Sequence, residues 1–161
     1  MNYMTIYRTS LADGEGWRTV LFVAGCHHHC KECHNKESWN PTAGQPFTKE
    51  VKEYLFSCIT DQIDGLTLSG GDPLYKKNLP EVTELCKEFK ERFPDKTIWL
   101  YTGNLYRDSK DLEVMKYVDV VVDGEFRVDL KDTTLAFRGS SNQRIIDVKT
   151  GKLLAADVEE A

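Results

Sequence analysis

The sequence lacks the features that would mark a nucleic-acid binder, a membrane protein or a disulfide-stapled domain. Basic runs are absent: 21 Lys and Arg stand against 26 Asp and Glu, for a formal charge of −5 and a pI near 5.4. No stretch could therefore build the basic face that displaces counterions from a phosphate backbone. No run approaches the ~18 apolar residues that a membrane span requires. No charged-then-apolar leader opens the sequence, so the expected location is cytoplasmic. Internal repeats and low-complexity segments are missing too. The cysteines number five, three of them within eight positions and two standing apart. An odd, uneven set in a leaderless chain argues for reduced thiols and a metal site over a disulfide framework.

What remains is the composition of a soluble globular protein: 161 residues, 40% hydrophobic and 29% charged, with a mean hydropathy of −0.47. That length can bury one core without staples. A single domain over residues 1–155 is expected, with residues 156–161 a frayed acidic tail.

The first eighteen residues read as an irregular arm with a turn at Asp13-Gly14-Glu15-Gly16. Thr19 to Gly25 (TVLFVAG) is a compact apolar run that predicts a buried strand, as do Gly65 to Ser69, Thr97 to Tyr101, Val118 to Asp123 and Arg144 to Val148. Between them, Val51, Tyr54, Leu55, Cys58 and Ile59 fall on one helical face, and Val82, Leu85, Cys86, Phe89 and Phe93 on another. The second stripe follows Pro80, where a missing N–H does no harm at a helix start. Asp111 to Lys116 predicts a short helix. Strands alternating with helices point to an α/β fold with a mainly parallel sheet. There are too few units for a closed eight-fold barrel, so an open or partial β/α barrel is expected.

In such architectures function gathers where parallel strands end. Three predicted strand ends carry unusual residues: Cys26 after the first, Gly70-Gly71-Asp72 after the second, and Thr102-Gly103 after the third. Cys26, Cys30 and Cys33 form a C-x3-C-x2-C loop that can surround one metal centre with three thiolates. A structural zinc wants four closed ligands and an ordinary four-iron cluster four cysteines. Either a histidine among His27, His28, His29 and His34 completes a zinc knuckle, or the fourth position is open to a substrate. The two glycines let the backbone approach a ligand or take positive φ; the alternative is a tight turn leading into Asp72-Pro73. Tyr101-Thr102-Gly103 either lines a pocket or simply ends a strand. Arg18, Arg138 and Arg144 could contact an anion or a partner, although isolated arginines are usually solvated. Trp17, Trp39 and Trp99 read as packing residues, and Cys58 and Cys86 as buried thiols on helix stripes.

The C-x3-C-x2-C spacing resembles that of the radical S-adenosylmethionine enzymes. The wider string from Gly25 to Trp39 is similar to the glycyl-radical-enzyme activases that serve anaerobic ribonucleoside-triphosphate reductase. The likeness runs on through Gly65-Leu66-Thr67-Leu68-Ser69-Gly70-Gly71-Asp72-Pro73-Leu74, Trp99 to Gly103, Val122 to Phe126 and Arg138 to Arg144. It covers nearly the whole chain in order. Three positions or segments depart from it: Glu32 stands where a Gly is common, His34 where a Tyr is common, and Asp13-Gly14-Glu15-Gly16 where N-G-P-G is common.

The resemblance implies a partial β/α barrel of the radical S-adenosylmethionine type. It implies a [4Fe–4S] cluster on Cys26, Cys30 and Cys33, with S-adenosylmethionine chelating the fourth iron. Glu32, Cys33, His34, Gly70, Gly71 and Asp72 would contact that cofactor, Gly71 most directly at the methionine amino group. No catalytic side chain beyond the cluster ligands is expected. Reductive cleavage of S-adenosylmethionine would generate a 5′-deoxyadenosyl radical that forms a glycyl radical on the large subunit of the reductase. A one-electron reductant such as a flavodoxin-type protein would supply the electron, with neither nucleic acid nor membrane involved. Two other readings stay open: activation of a different glycyl-radical enzyme or modification of a small molecule, and a non-catalytic Cys/His zinc-binding interaction module.

Overall fold

The computed structural model describes residues 1–26, 28 and 39–155. Among them the apolar runs become strands at the expected places. The strands are β1 (Asn2–Ser10), β2 (Arg18–Val23), β3 (Gln45–Pro46), β4 (Gly65–Gly70), β5 (Thr97–Tyr101), β6 (Val120–Asp123), β7 (Arg144–Asp147) and β8 (Leu153–Ala155). The helices are α1 (Lys49–Ser57), α2 (Leu79–Arg92) and the short α3 (Tyr106–Ser109). All eight strands join one sheet in the order β3-β1-β2-β4-β5-β6-β7-β8.

The sheet is mixed, which corrects the expectation of a mainly parallel one. Only the central strands β2, β4, β5 and β6 run parallel to one another. β1 and β3 on one flank, and β7 and β8 on the other, are antiparallel. The reason lies in the connections. A parallel return needs a crossover long enough for a helix, whereas adjacent antiparallel strands need only a turn. Lys49–Ser57 and Leu79–Arg92 supply helical crossovers in the middle of the chain. β7 and β8 are joined by a short turn in which Gly151 N–H donates to the Asp147 carbonyl at 2.7 Å.

The predicted irregular arm is also corrected, because Asn2–Ser10 is a nine-residue strand paired with β2. None of its residues is fully buried, so it carries no apolar run to mark it. Its ladder to β2 holds it, with Tyr7 packed edge-on against Phe22 at 4.8 Å. The helix expected over Asp111 to Lys116 is a 3-10 turn at Glu113–Lys116.

Strand alternation sorts side chains to two faces. Leu66, Leu68, Ile98, Leu100 and Val121 meet Leu55, Phe56, Val82, Leu85 and Phe89 of α1 and α2 in the main core. Each such fully buried side chain contributes about 1.5–3 kcal/mol. α1 is capped by Thr48, whose hydroxyl accepts the Val51 N–H at 3.3 Å. Pro80 sits in the first turn of α2, as expected. Cys58 and Cys86 are buried in this layer. No described helix is long and apolar enough to cross a membrane.

The opposite face carries Trp99, Val122 and Ile145, with Tyr101 and Phe137 packed against them. It also carries Arg18, which is fully buried and not the solvated surface residue expected. Its Nε donates to Thr67 Oγ1 at 2.7 Å, Nη1 to the Glu15 carbonyl and Thr97 Oγ1, and Nη2 to the carbonyls of Leu66 and Thr97. Its guanidinium lies over the Trp99 ring at 5.7 Å. Burial pulls the guanidinium pKa down to about 10, against the opposing pull of Asp64 and Asp119, so it stays charged at neutral pH. Arg144 is buried too, with Nε 2.9 Å from Asp123 Oδ1. Trp99 is a packing residue as expected, whereas Trp17 is half exposed.

Replacing Arg18 with Met removes the partner of the Thr67 hydroxyl and of the Leu66 and Thr97 carbonyls. At 1–3 kcal/mol for each buried polar group left unpaired, Arg18→Met is expected to lower stability by about 3 kcal/mol or more. Urea unfolding of the reduced protein measures this directly.

Candidate active site

The carboxyl ends of the four parallel strands open onto one cleft of about 350 Å³. Its walls come from each strand end in turn: Cys26 and His28 beyond β2, Ser69, Gly70 and Gly71 at β4, Tyr101, Thr102 and Gly103 at β5, and Gly124 and Phe126 beyond β6. Ala12 and Asp13 close one side, and Leu135, Phe137, Arg138, Gly139 and Gln143 another. The three strand ends singled out from the sequence thus meet at a single place.

Beneath the cleft lies Asp72, with no exposed surface. Its Oδ1 accepts the Leu74 N–H at 2.9 Å, while Oδ2 accepts the Thr102 hydroxyl and the Gly103 N–H, each at 3.0 Å. Its own N–H donates to the Gly25 carbonyl at 2.8 Å. His28 Nε2 stands 2.9 Å from the same Oδ2, and His28 Nδ1 lies 3.1 Å from Glu125 Oε1. Each ring nitrogen thus lies within ion-pair distance of a carboxylate oxygen. The imidazole pKa is accordingly raised, chiefly by the hydrogen bond to Asp72, with burial opposing. Asp72 therefore spends its carboxylate on joining the loops after β2, β4 and β5.

Gly70 has φ of +105°, and a Cβ there would lie 2.5 Å from the Val23 backbone. Only glycine takes that conformation at that distance without displacing β2. The Gly71 N–H is committed to the Val23 carbonyl at 2.8 Å, which leaves its own carbonyl as the acceptor it can offer a ligand. Tyr101 both ends β5 and lines the cleft, so the two alternatives for it are not exclusive. Its hydroxyl donates to the Phe137 carbonyl at 2.6 Å, and burial raises its pKa. Phe137 is held at φ of +66°, rare for a bulky residue. Its ring meets Trp99 edge-on at 5.4 Å.

The closing run Arg138 to Arg144 belongs to the same wall. Gln143 Oε1 accepts the N–H groups of Gly139 and Ser140, and its Nε2 donates to the Gly124 carbonyl at 3.1 Å. Arg138 donates to the carbonyls of Ser141 and Gln143. Phe126, Leu135, Phe137 and Gln143 were not predicted as individual site residues. The only signal for them was the likeness of the runs that contain Phe126 and Gln143.

Of the predicted cluster ligands, Cys26 lines the cleft and is partly exposed, whereas Cys30 and Cys33 lie outside the described residues. So do Glu32 and His34. The Trp39 carbonyl accepts the Cys26 N–H at 3.1 Å. Among the described residues no group of three or more His, Cys, Asp or Glu could hold a metal ion.

Three relatives match this chain along most of their length. A protein of Enterobacteria phage T4 is 48% identical over 146 residues, covering 90% of this chain and 93% of its own. One from Pasteurella multocida (strain Pm70) is 41% identical over 152 residues, and one from Escherichia coli (strain K12) is 40% identical over 148, each covered to 96%. All three are named anaerobic ribonucleoside-triphosphate reductase-activating protein. The chain belongs to that family.

A family model described as a 4Fe-4S single cluster domain also matches residues 12–146, which takes in every residue that lines the cleft. An iron–sulfur cluster is thus the cofactor of this activating-protein family member. The residues fit it: a partly exposed thiol sits at a strand end, on a cleft with a mixed polar and apolar lining, next to backbone that approaches closely. His28 is engaged with Asp72 and Glu125, which removes one candidate from the histidines that a zinc knuckle would need.

The thiols should separate chemically. Burial pushes the Cys86 thiol up to about 12, so at pH 8 roughly one in ten thousand is thiolate. Brief alkylation of the reduced, metal-free protein at pH 8 is expected to modify Cys26 and spare Cys58 and Cys86, as read by peptide mass spectrometry.

Proposed function

We propose that this chain activates the anaerobic (class III) ribonucleoside-triphosphate reductase by reductive cleavage of S-adenosylmethionine at a [4Fe–4S] cluster. The observation that carries this is the placement of Cys26 beside the Gly70-Gly71 turn, at the mouth of a cleft formed by four parallel strand ends, in a chain 48% identical to a relative of that name. Cys26, Cys30 and Cys33 hold the cluster. Glu32, Cys33, His34, Gly70, Gly71 and Asp72 serve the S-adenosylmethionine site. When bound, cluster and cofactor supply a one-electron cleavage whose product radical takes a hydrogen atom from one glycine of the reductase large subunit.

The chain's own residues have three tasks. The Gly71 carbonyl suits the ammonium of the methionine moiety, because a carbonyl accepts where an N–H would repel. Asp72, with no room for a ligand among its donors, keeps the Gly71 and Gly103 loops in register. Leu135, Phe126 and Phe137 give the cleft an apolar wall that excludes water from a reactive species. The parallel core with its loop-covered second face is consistent with an incomplete barrel of the radical S-adenosylmethionine type. A flavodoxin-type protein in the cytoplasm is the proposed electron donor. Residues 1–155 act as one domain, with 156–161 a tail that plays no part.

The test is anaerobic reconstitution with iron and sulfide, reduction, and electron paramagnetic resonance with and without S-adenosylmethionine. A [4Fe–4S]⁺ signal that changes with the cofactor is expected, together with 5′-deoxyadenosine and a glycyl radical on added reductase. Cys26→Ala is expected to abolish the cleavage. Gly71→Leu is expected to weaken cofactor binding while the cluster still forms. A colourless protein that holds one zinc and yields no 5′-deoxyadenosine would overturn the proposal.

A further inference from the structure

His28 makes a junction that the cluster chemistry itself does not call for. Its two ring nitrogens face two carboxylates of different character: buried Asp72 at 2.9 Å and half-exposed Glu125 at 3.1 Å. Asp72 already joins Leu74, Thr102 and Gly103. Glu125 belongs to the loop after β6, where its carbonyl accepts Asn142 Nδ2 at 2.8 Å and Gly124 is held by Gln143. One side chain two residues beyond Cys26 thus touches loops from β4 and β6 and, across its ring, β5. The ring lies so close to Gly103 that a Cβ there would come within 2.6–2.8 Å of its atoms. The imidazole is pinned between two carboxylates and a backbone that leaves no space for another side chain.

We infer that His28 is a positioning residue, a clasp that ties the chain two residues after Cys26 to the Asp72 junction and so sets how firmly the Cys26 thiolate is held. The inference rests on the function proposed above for the identity of the cluster, but the clasp itself is a property of the polypeptide. Groups that orient metal ligands typically change metal retention by 10- to 100-fold when they are removed. Asp72, fully buried, carries most of the hold, and Glu125, which water can replace, carries less.

Two variants separate the clasp from the fold. His28→Ala deletes the ring. Gly103→Ala keeps it but forces it away from Asp72. In the metal-free protein both are expected to raise the alkylation rate of Cys26 above wild type, with Cys86 still protected. In the reconstituted protein both are expected to speed iron loss to a chelator by about 10-fold or more, and to alter the signal of the reduced cluster before S-adenosylmethionine is added. Glu125→Ala should give a smaller change in the same direction. Wild-type alkylation rates in both metal-free variants overturn the clasp, whether or not the protein takes up a cluster. Raised alkylation that extends to Cys86 also overturns it, because the loss is then one of global stability. If wild type takes up no cluster, the proposed function fails and the alkylation rates alone judge the clasp.

Discussion

A carboxylate moved from water to a protein interior must be met by donors, or its burial becomes prohibitive. Asp72 has no exposed surface, and it is met by a backbone N–H of its own turn, by a hydroxyl and an N–H from the loop after β5, and by the ring of His28. Together these partners satisfy a charge that water does not reach. The loops after three separate strands are therefore tied to one atom group, and the cleft above inherits their register. Gly70 and Gly71 can present backbone to a ligand because Asp72 holds the turn that follows them.

The rest of the sheet complements this arrangement. At the opposite end of the strands, buried Arg18 plays the converse part: a lone cation satisfied by oxygen acceptors from the starts of β4 and β5 and from the segment before β2. One end of the parallel core is organised by a buried anion and the other by a buried cation. Between them the helices seal one face with leucine, valine and phenylalanine, and the loops around Asp13 and Phe137 cover the other. The antiparallel flanks extend the sheet, and the loops leading out of β1 and into β7 close the sides of the cleft. Binding groups therefore gather at the parallel strand ends, where the chain turns outward into loops.

Much of this was legible from residues alone. The strands β2, β4, β5, β6 and β7 stand out because burial on both faces demands continuous apolar runs. α1 and α2 stand out because packing on one side demands a stripe. Cys26 and Gly70-Gly71 are legible as strand-end residues, since each directly follows an apolar run. β1 was not legible: Asn2–Ser10 buries no side chain fully, and only its ladder to β2 makes it a strand. Arg18 read as surface, because charge in a sequence carries no record of the acceptors that fold around it.

His28 illustrates the boundary most clearly. Four histidines stand near the cysteines and look alike in the sequence, and the residue that distinguishes this one, Glu125, is 97 positions away. The sequence by itself determined the cysteine spacing, the helical stripes, the central strands and the family, because these depend on the order and kind of neighbours along the chain. Tertiary structure alone decided that Asp72 supports the cleft from beneath, that Arg18 is buried, that the sheet is mixed, and that His28 joins three loops. Burial and charge pairing are set by distances in space, and folding assigns those between residues that the sequence keeps far apart.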